Sequence, residues 1–445
     1  MEGGMLPDPM PSRFGVGDAD AVRQRKEAEN RAYEIKISNT SNPIHLQWIL
    51  GRQYPVLEGQ LYFMSIREEA KLKELIETRR RRGQDDRDFF SIDNELLYFP
   101  FCADFGPLNY GCVQKFIQVL RKKLDFFPKH GKSVVLYTSA DPKSRTNAAT
   151  LLGCFLVLEM DMTPEEAWAP FEFSNAAPFI PFHEASFESD DFNLVPIDVL
   201  QGLYKAKQNG LLRLDDFDIE WYDYCDHPNH ADLHEIVPGK FVAFKGPKEE
   251  TVYHKDTGVM YLAPKEYFTI FQRLDVTAVV RLNEPQYRAE DFKEAGFNHY
   301  DIYFDDCSTP DEEVLNTWFD VCRAEQGTIA VHCKAGLGRT GTLICAWLMR
   351  KYRFTAAEVI GFIRVMRPGS VLGDQQTFLE DNEDILWSLG DPDLPPIHPC
   401  GDLLVSDVEP DTEEDLRAKE AAARRAKENT EAMNRQAAIR AAAAR

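Results

Sequence analysis

Two stretches of this chain repeat one pattern, and that repetition constrains the fold more than any other feature. Ser133–Trp168 and Thr328–Val365 each begin with a β-branched apolar run and pass through a turn containing Lys with Ser or Gly. Each continues as an Ala- and Leu-rich helix and ends with a Thr that introduces a second amphipathic helix. An order of strand, loop, helix, helix that occurs twice predicts two α/β domains in tandem. At 445 residues, 44% of them hydrophobic, the chain can bury a core in each. The copies differ where chemistry would occur. Tyr137 and Thr138 stand in the places of His332 and Cys333, and Asp141-Pro142 in those of Gly336-Leu337. Only the second copy keeps a thiol and an open, glycine-rich backbone, so only the second is expected to be catalytic.

The second loop, His332–Gly341, combines a strand end, three glycines and the start of an apolar helix. Glycines let successive N–H groups converge, and a helix N-terminus adds partial positive charge, so the main chain of Lys334, Ala335, Gly336, Leu337 and Gly338 is expected to cradle a phosphate. Amides, a helix terminus and a guanidinium all favour thiolate over thiol, which makes Cys333 the candidate nucleophile of a phosphocysteine mechanism. Arg339, six positions later, suits two phosphate oxygens at once. The Thr340 hydroxyl can donate to the departing sulfur, and His332 can order the loop through a backbone bond. Expelling an alkoxide needs a general acid from another loop. Asp301, Asp305, Asp306 and Asp311, around the turn Ser308-Thr309-Pro310, all remain open for that part. Gln375 and Gln376 follow another turn, from which an amide can orient water.

Composition narrows the partners. A net charge of −22 speaks against a nucleic acid and against a membrane surface, and leaves room for a basic ligand. The nine cysteines form no CxxC pair and no His/Cys cluster, so no metal, no cofactor and no disulfide framework is expected. The N-terminal residues lack the layout of a signal peptide and no apolar run is long enough to span a bilayer, which leads to a cytoplasmic or nuclear expectation.

Residues 1–56 read as a flexible extension, with a first buried strand at Gly59–Ser65 and the arginine run Arg79–Arg82 as a solvated loop. The expected limits are 57–213 for the non-catalytic domain, 214–239 for an acidic linker, 240–391 for the catalytic domain and 392–445 for a polar tail. The tail's last part, opening with Thr412 and rich in Ala, Glu, Lys and Arg, has helical tendency.

Several motifs together carry a family resemblance: HCKAGLGRTGTLI, FSIDNELLYFPFCADFGPLN, TPEEA, IVPGKFVAF, TAVVRLN, STP and RPGSVLG, spread from about Leu57 to Gly390. They resemble the cell-division-cycle-fourteen group of dual-specificity protein phosphatases. The resemblance implies two dual-specificity-phosphatase-like domains joined by a linker helix, only the second catalytic. It implies Asp306 as the acid, with Cys307 where the family usually has Gly, and Gln375 as the water-positioning amide. Counting back from IVPGKF, it implies a substrate groove formed by Asp223, Asp226 and Asp232, with Asp where the family often has Glu at the first two. The substrates implied are phosphoproteins carrying phosphoserine followed by proline and a basic residue, as left by cyclin-dependent kinases, and also phosphotyrosine, in cell-cycle control. A phosphoinositide phosphatase shares HCKAG but looks basic where this chain has Leu337. A phosphopeptide-binding scaffold without catalysis usually lacks the loop Cys or Arg, and both are present here.

Overall fold

The computed structural model describes residues 48–172, 179–188, 191–255 and 258–391, and both repeats fold in the expected order. The first half comprises β1 (Tyr54–Leu57), β2 (Leu61–Ile66), α1 (Glu69–Arg81), β3 (Arg87–Phe90), α2 (Tyr110–Phe126), β4 (Ser133–Ser139), α3 (Pro142–Glu159), α4 (Pro164–Trp168) and α5 (Pro196–Gln208). The second continues with α6 (Ile219–Asp226), β5 (Leu233–Val237), β6 (Phe241–Phe244), β7 (Val252–His254), β8 (Val259–Tyr261), α7 (Phe268–Arg273), β9 (Val276–Arg281), α8 (Ala289–Glu294), β10 (Asn298–Asp301), α9 (Glu312–Ala324), β11 (Thr328–His332), α10 (Gly338–Tyr352), α11 (Ala356–Met366), α12 (Asp374–Asp381) and α13 (Glu383–Ser388).

The first sheet has the order β1-β2-β4-β3 and the second β10-β9-β11-β6-β5, while β7 and β8 form a separate hairpin. In each sheet the strand of the repeat lies between two parallel neighbours: β4 between β2 and β3, β11 between β9 and β6. Strands covered on both faces need continuous apolar runs, and all five residues of β11 are buried. The helices that follow are buried in the same way: Arg339–Arg350 of α10 have no exposed member, which is why that helix is apolar around most of its circumference. The second helix of each repeat starts with the same device. Thr163 and Glu166 form a capping box at α4, and Thr355 and Glu358 form one at α11. A shared cap at matched positions supports true duplication.

Three expectations change in detail, and two segments lie outside what the structure describes. Strand β1 begins at Tyr54, so ordered structure starts before residue 57. Arg79, Arg80 and Arg81 occupy the last turn of α1, with Arg82 as its cap, where positive charge complements the carbonyl end of the helix; they are not a loop. The segment 214–239 contains helix α6 and then β5, an edge strand of the second sheet paired antiparallel with β6. Residues 1–47 of the expected extension and the whole tail from 392, including Thr412 onward, lie outside the described residues. No helix among the described residues is long and apolar enough to cross a membrane.

The halves belong to one compact unit and meet where α5 packs along α11. A Cβ on Gly202 of α5 would lie 2.1 Å from the Glu358 carbonyl oxygen, and one on Gly361 of α11 would lie 2.8 Å from Val199 Cα. Two glycines thus let two helix backbones touch. Lys205 locks the contact, donating from Nζ to Glu358 Oε2 (2.6 Å) and to the Arg353 carbonyl (2.7 Å). Alanine raises helix propensity by about 0.5–1 kcal/mol over glycine. Overpacking against backbone, which cannot rotate away, costs about 1–3 kcal/mol and should win. Gly202→Ala and Gly361→Ala are therefore expected to destabilise the protein, read as a lower urea midpoint; an unchanged or higher midpoint would refute this account of the interface.

Candidate active site

Strand β11 delivers Cys333 to the carboxyl end of the central sheet, 3% exposed, and α10 begins five residues later with no side-chain cap of its own. Between them, four consecutive carbonyls are each held by a donor, one from the end of β11 and three from beyond the loop. His332 Nδ1 donates to the Cys333 oxygen (2.9 Å) and the Gly246 amide to the Lys334 oxygen (3.3 Å). Arg367 donates from Nη2 to the Ala335 oxygen (3.0 Å) and from Nε to the Gly336 oxygen (2.7 Å). In a trans peptide the N–H points away from the C=O. Fixing these carbonyls outward therefore turns the N–H groups of residues 334–337 inward, as an anion site requires. Gly336 has φ +71, and a Cβ there would lie 2.0 Å from the Phe244 carbonyl oxygen, so both conformation and space demand glycine.

Because His332 donates from Nδ1, its Nε2 accepts, and it takes the Tyr287 hydroxyl at 2.7 Å. Tyr287 in turn meets His299 Nε2 at 2.9 Å. Burial pushes His332 down to about 3 and His299 down to about 4. Both imidazoles are neutral ordering groups near neutral pH.

Arg339 is 1% exposed. Its Nη1 donates to the carbonyls of Leu282 (3.2 Å) and Phe304 (2.7 Å), which fixes the guanidinium plane. Its Nε and Nη2 are buried without a hydrogen-bond acceptor, and so is Thr340 Oγ1. Nη2 lies 2.9 Å from Asp306 Oδ1, within ion-pair distance but out of line for a hydrogen bond. Each unmet buried donor costs about 1–3 kcal/mol, a cost that a tetrahedral oxyanion would offset. The residues present fit a phosphoryl group.

The structure separates the four candidate acids by their partners. Asp301 accepts both Nε and Nη2 of Arg281 (2.6 and 3.1 Å). Asp311 caps α9 through the Val314 amide, and Asp305 accepts the Tyr303 hydroxyl (2.7 Å). Asp306 is the one beside Arg339, with its side chain 43% exposed. Cys307, after it, has φ +61, a region that a side chain makes unfavourable by roughly 1 kcal/mol. The two glutamines also part. Gln375 donates from Nε2 to the Ser308 carbonyl of the acid loop (3.0 Å), whereas Gln376 accepts Arg364 Nη2 (2.8 Å).

Of the expected groove, Asp223 is on the surface of α6, paired with Lys115 Nζ (2.7 Å) and 49% exposed. Asp226 and Asp232 turn inward. His234 is buried and driven toward neutrality; its Nε2 donates to Asp226 Oδ1 (2.8 Å) while its Nδ1 accepts Arg367 Nη1 (2.8 Å). Asp232 Oδ1 accepts Arg367 Nη2 (3.1 Å). These carboxylates thus hold the arginine that holds the loop. Sequence reasoning missed Arg367 and His234 as functional neighbours; RPGSVLG offered a hint of the first, and nothing marked the second. In the first half, the corresponding strand end presents a carboxylate: Asp93 accepts Thr138 Oγ1 (2.8 Å) and the Ser139 amide (2.7 Å). An anion would be repelled there. Among the described residues, no group of three His, Cys, Asp or Glu is suited to a metal ion.

Residues 55–206 match the model of the dual specificity protein phosphatase N-terminal half, and 252–379 match that of the dual specificity phosphatase catalytic domain. The chain is 42% identical to the human dual specificity protein phosphatase CDC14A over 75% of its own length and 54% of that protein's. It is 39% identical to human CDC14C over 70% of this chain and 69% of the relative. The tyrosine-protein phosphatase CDC14 homolog of Schizosaccharomyces pombe is 36% identical over 75% of this chain and 61% of its own. The chain thus spans about half the length of the first of these relatives.

Three imidazoles kept neutral by burial give a pH dependence with a definite sign. Unfolded histidines take up protons near pH 6.5, while His332 and His299 resist until about 3 and 4 and His234 is also depressed. The unfolded chain therefore binds more protons over the interval from about pH 4 to about 6.5, so stability is fully present above it and is lost on acidification through it. Urea midpoints should fall between pH 7 and pH 5, with a smaller fall in His332→Asn. A flat profile in the parent protein would contradict the neutral assignments.

Proposed function

The chain belongs to the CDC14 family of dual specificity protein phosphatases, and we propose that it hydrolyses phosphoprotein monoesters through a phosphocysteine at Cys333. The observation that carries this reading is the pair of buried Arg339 donors without acceptors beside a loop whose amides are turned inward. In the first step the Cys333 sulfur attacks phosphorus and the ester P–O bond breaks, with Asp306 giving its proton to the leaving oxygen. Arg339 Nε and Nη2 hold two equatorial oxygens, and the loop amides of residues 334–338 share the remaining charge. In the second step a water, oriented by Gln375, forms the new P–O bond and passes its proton to Asp306. The S–P bond breaks, and Thr340 Oγ1 donates to the departing sulfur. His332 keeps the Cys333 carbonyl outward throughout. No metal or cofactor enters either step.

The preferred substrate in this reading is phosphoserine followed by proline and a basic residue, as left by cyclin-dependent kinases, with phosphotyrosine also accepted and cell-cycle control as the setting. Family membership and an exposed Asp223 that a substrate lysine or arginine could take from Lys115 support it. In the same reading, Asp226 and Asp232 contribute negative potential to the groove while remaining engaged with His234 and Arg367. Leu337, the loop position where a phosphoinositide enzyme looks basic, packs with Phe101 and Ala185 of the first half, which favours a protein substrate.

Cys333→Ser should lower turnover by at least about a thousandfold while phosphate or vanadate still binds; retained turnover would end the mechanism. Asp306→Ala should slow a phosphoserine peptide far more than an aryl phosphate, whose leaving group needs little protonation. Equal losses would point to another acid. For the groove, Asp223→Asn is expected to raise KM for peptides with a downstream lysine or arginine, by up to about tenfold, and to leave peptides lacking it unchanged. Parallel effects on both peptide classes would exclude the groove assignment.

A further inference from the structure

The first half has no thiol at its strand end, yet one of its carboxylates reaches the start of α12, the helix that carries Gln375. Glu184 lies in the segment before α5 and is 4% exposed. Its Oε1 accepts the Ser186 hydroxyl at 2.7 Å, and its Oε2 accepts both the Gly373 amide and Gln376 Nε2, the latter at 3.3 Å. Gly373 is the cap residue of α12, with φ +53 and no side chain to bond the helix start. A carboxylate from the other half of the molecule does that work, where the helix end favours negative charge. Gln376 is gripped at both ends, since Arg364 Nη2 donates to its Oε1 at 2.8 Å. The first turn of α12 is thus anchored to the first half.

Gln375 sits on that turn and is 1% exposed. Its Nε2 donates to the Ser308 carbonyl of the acid loop (3.0 Å), and its Oε1 accepts the Leu372 amide (3.1 Å). A Cβ on Gly338 would come within 2.9 Å of that same Oε1, so the amide lies against the phosphate loop. A rotation of the helix start by a fraction of a turn would carry Gln375 away from both loops.

We infer that Glu184 is a positioning residue for the second half-reaction, acting through α12 on Gln375. The inference rests on the reading of Cys333 and Gln375 given under Proposed function. In that half-reaction the water oxygen bonds to phosphorus, the S–P bond breaks with its electron pair returning to the Cys333 sulfur, and the water proton passes to the Asp306 carboxylate. Forming the phosphocysteine uses no water, so it does not depend on Glu184. The first half of the chain, without a nucleophile of its own, thereby sets how quickly the intermediate is discharged.

The test is rapid-quench and stopped-flow kinetics of the full chain with an aryl phosphate. In Glu184→Ala the second step should become limiting, so kcat falls by about tenfold or more, KM falls by the same factor, and kcat/KM stays within about threefold. A burst of phenolate should appear, and the phosphoenzyme trapped by acid should approach one per protein. Gln375→Ala should give the same signature. Glu184→Gln, which keeps an acceptor for Gly373, should retain kcat within about threefold of the parent. Glu184→Asp keeps the charge but withdraws it by one methylene, and it reads the same burst where alanine proves too destabilising. A folded Glu184→Ala or Glu184→Asp protein without a burst, losing kcat/KM as much as kcat, would overturn the inference alone. Absence of phosphoenzyme from the parent protein, together with turnover by Cys333→Ser, would overturn the nucleophile assignment and this inference with it.

Discussion

The candidate site depends on one constraint: the carbonyls of residues 333–336 are all held away from the loop's interior. The four donors that hold them come from three places, namely the end of β11, the turn after β6 and the residue after α11. A loop rich in glycine has little conformational preference of its own, so without these bonds its peptide planes could flip and present oxygen to an anion. The burial of Arg339 follows the same logic. Two backbone carbonyls fix one end of its guanidinium, leaving the other donors beside the loop. Preorganised dipoles need not reorient as charge develops, which is where such a site gains its rate.

The groups that do the holding are themselves neutral or internally paired. His332 and His234 are buried imidazoles whose desolvation keeps them uncharged, and each bonds with both ring nitrogens. Arg367, 2% exposed, spends every direction of its fork on Asp232, His234 and the loop. Negative charge on α6 and the turn after it thus supports the anion loop indirectly, through a cation that stands between them. That arrangement reconciles an acidic chain with a loop whose amides face inward.

The two halves have diverged around a common frame. Both keep a central parallel strand, a buried helix and a Thr–Glu capping box at matched positions. The first has Asp93 against its strand end, where the second has Cys333 and inward amides. What the first half lost in chemistry it retains as a wall. Phe101 and Ala185 cover Leu337, Glu184 anchors α12, and the glycine contact between α5 and α11 fixes how the halves meet.

The sequence by itself determined what depends on local spacing: the duplicated strand-loop-helix-helix order, the caps, and the cluster of Cys333, Gly336 and Arg339 within one loop. Those features are legible because each is set by residues a few positions apart, whose backbone preferences act before any tertiary contact forms. The choice among Asp301, Asp305, Asp306 and Asp311 was not legible from the residues alone. Carboxylates in one stretch look alike until Arg281, Tyr303 and the amide of Val314 each claim one. The same holds for Arg367 and His234, and for Glu184, which stands 189 residues from Gly373 in the chain. Only the tertiary structure shows which partners these groups meet, because a buried hydrogen bond depends on positions brought together by packing, and sequence separation carries no trace of that distance.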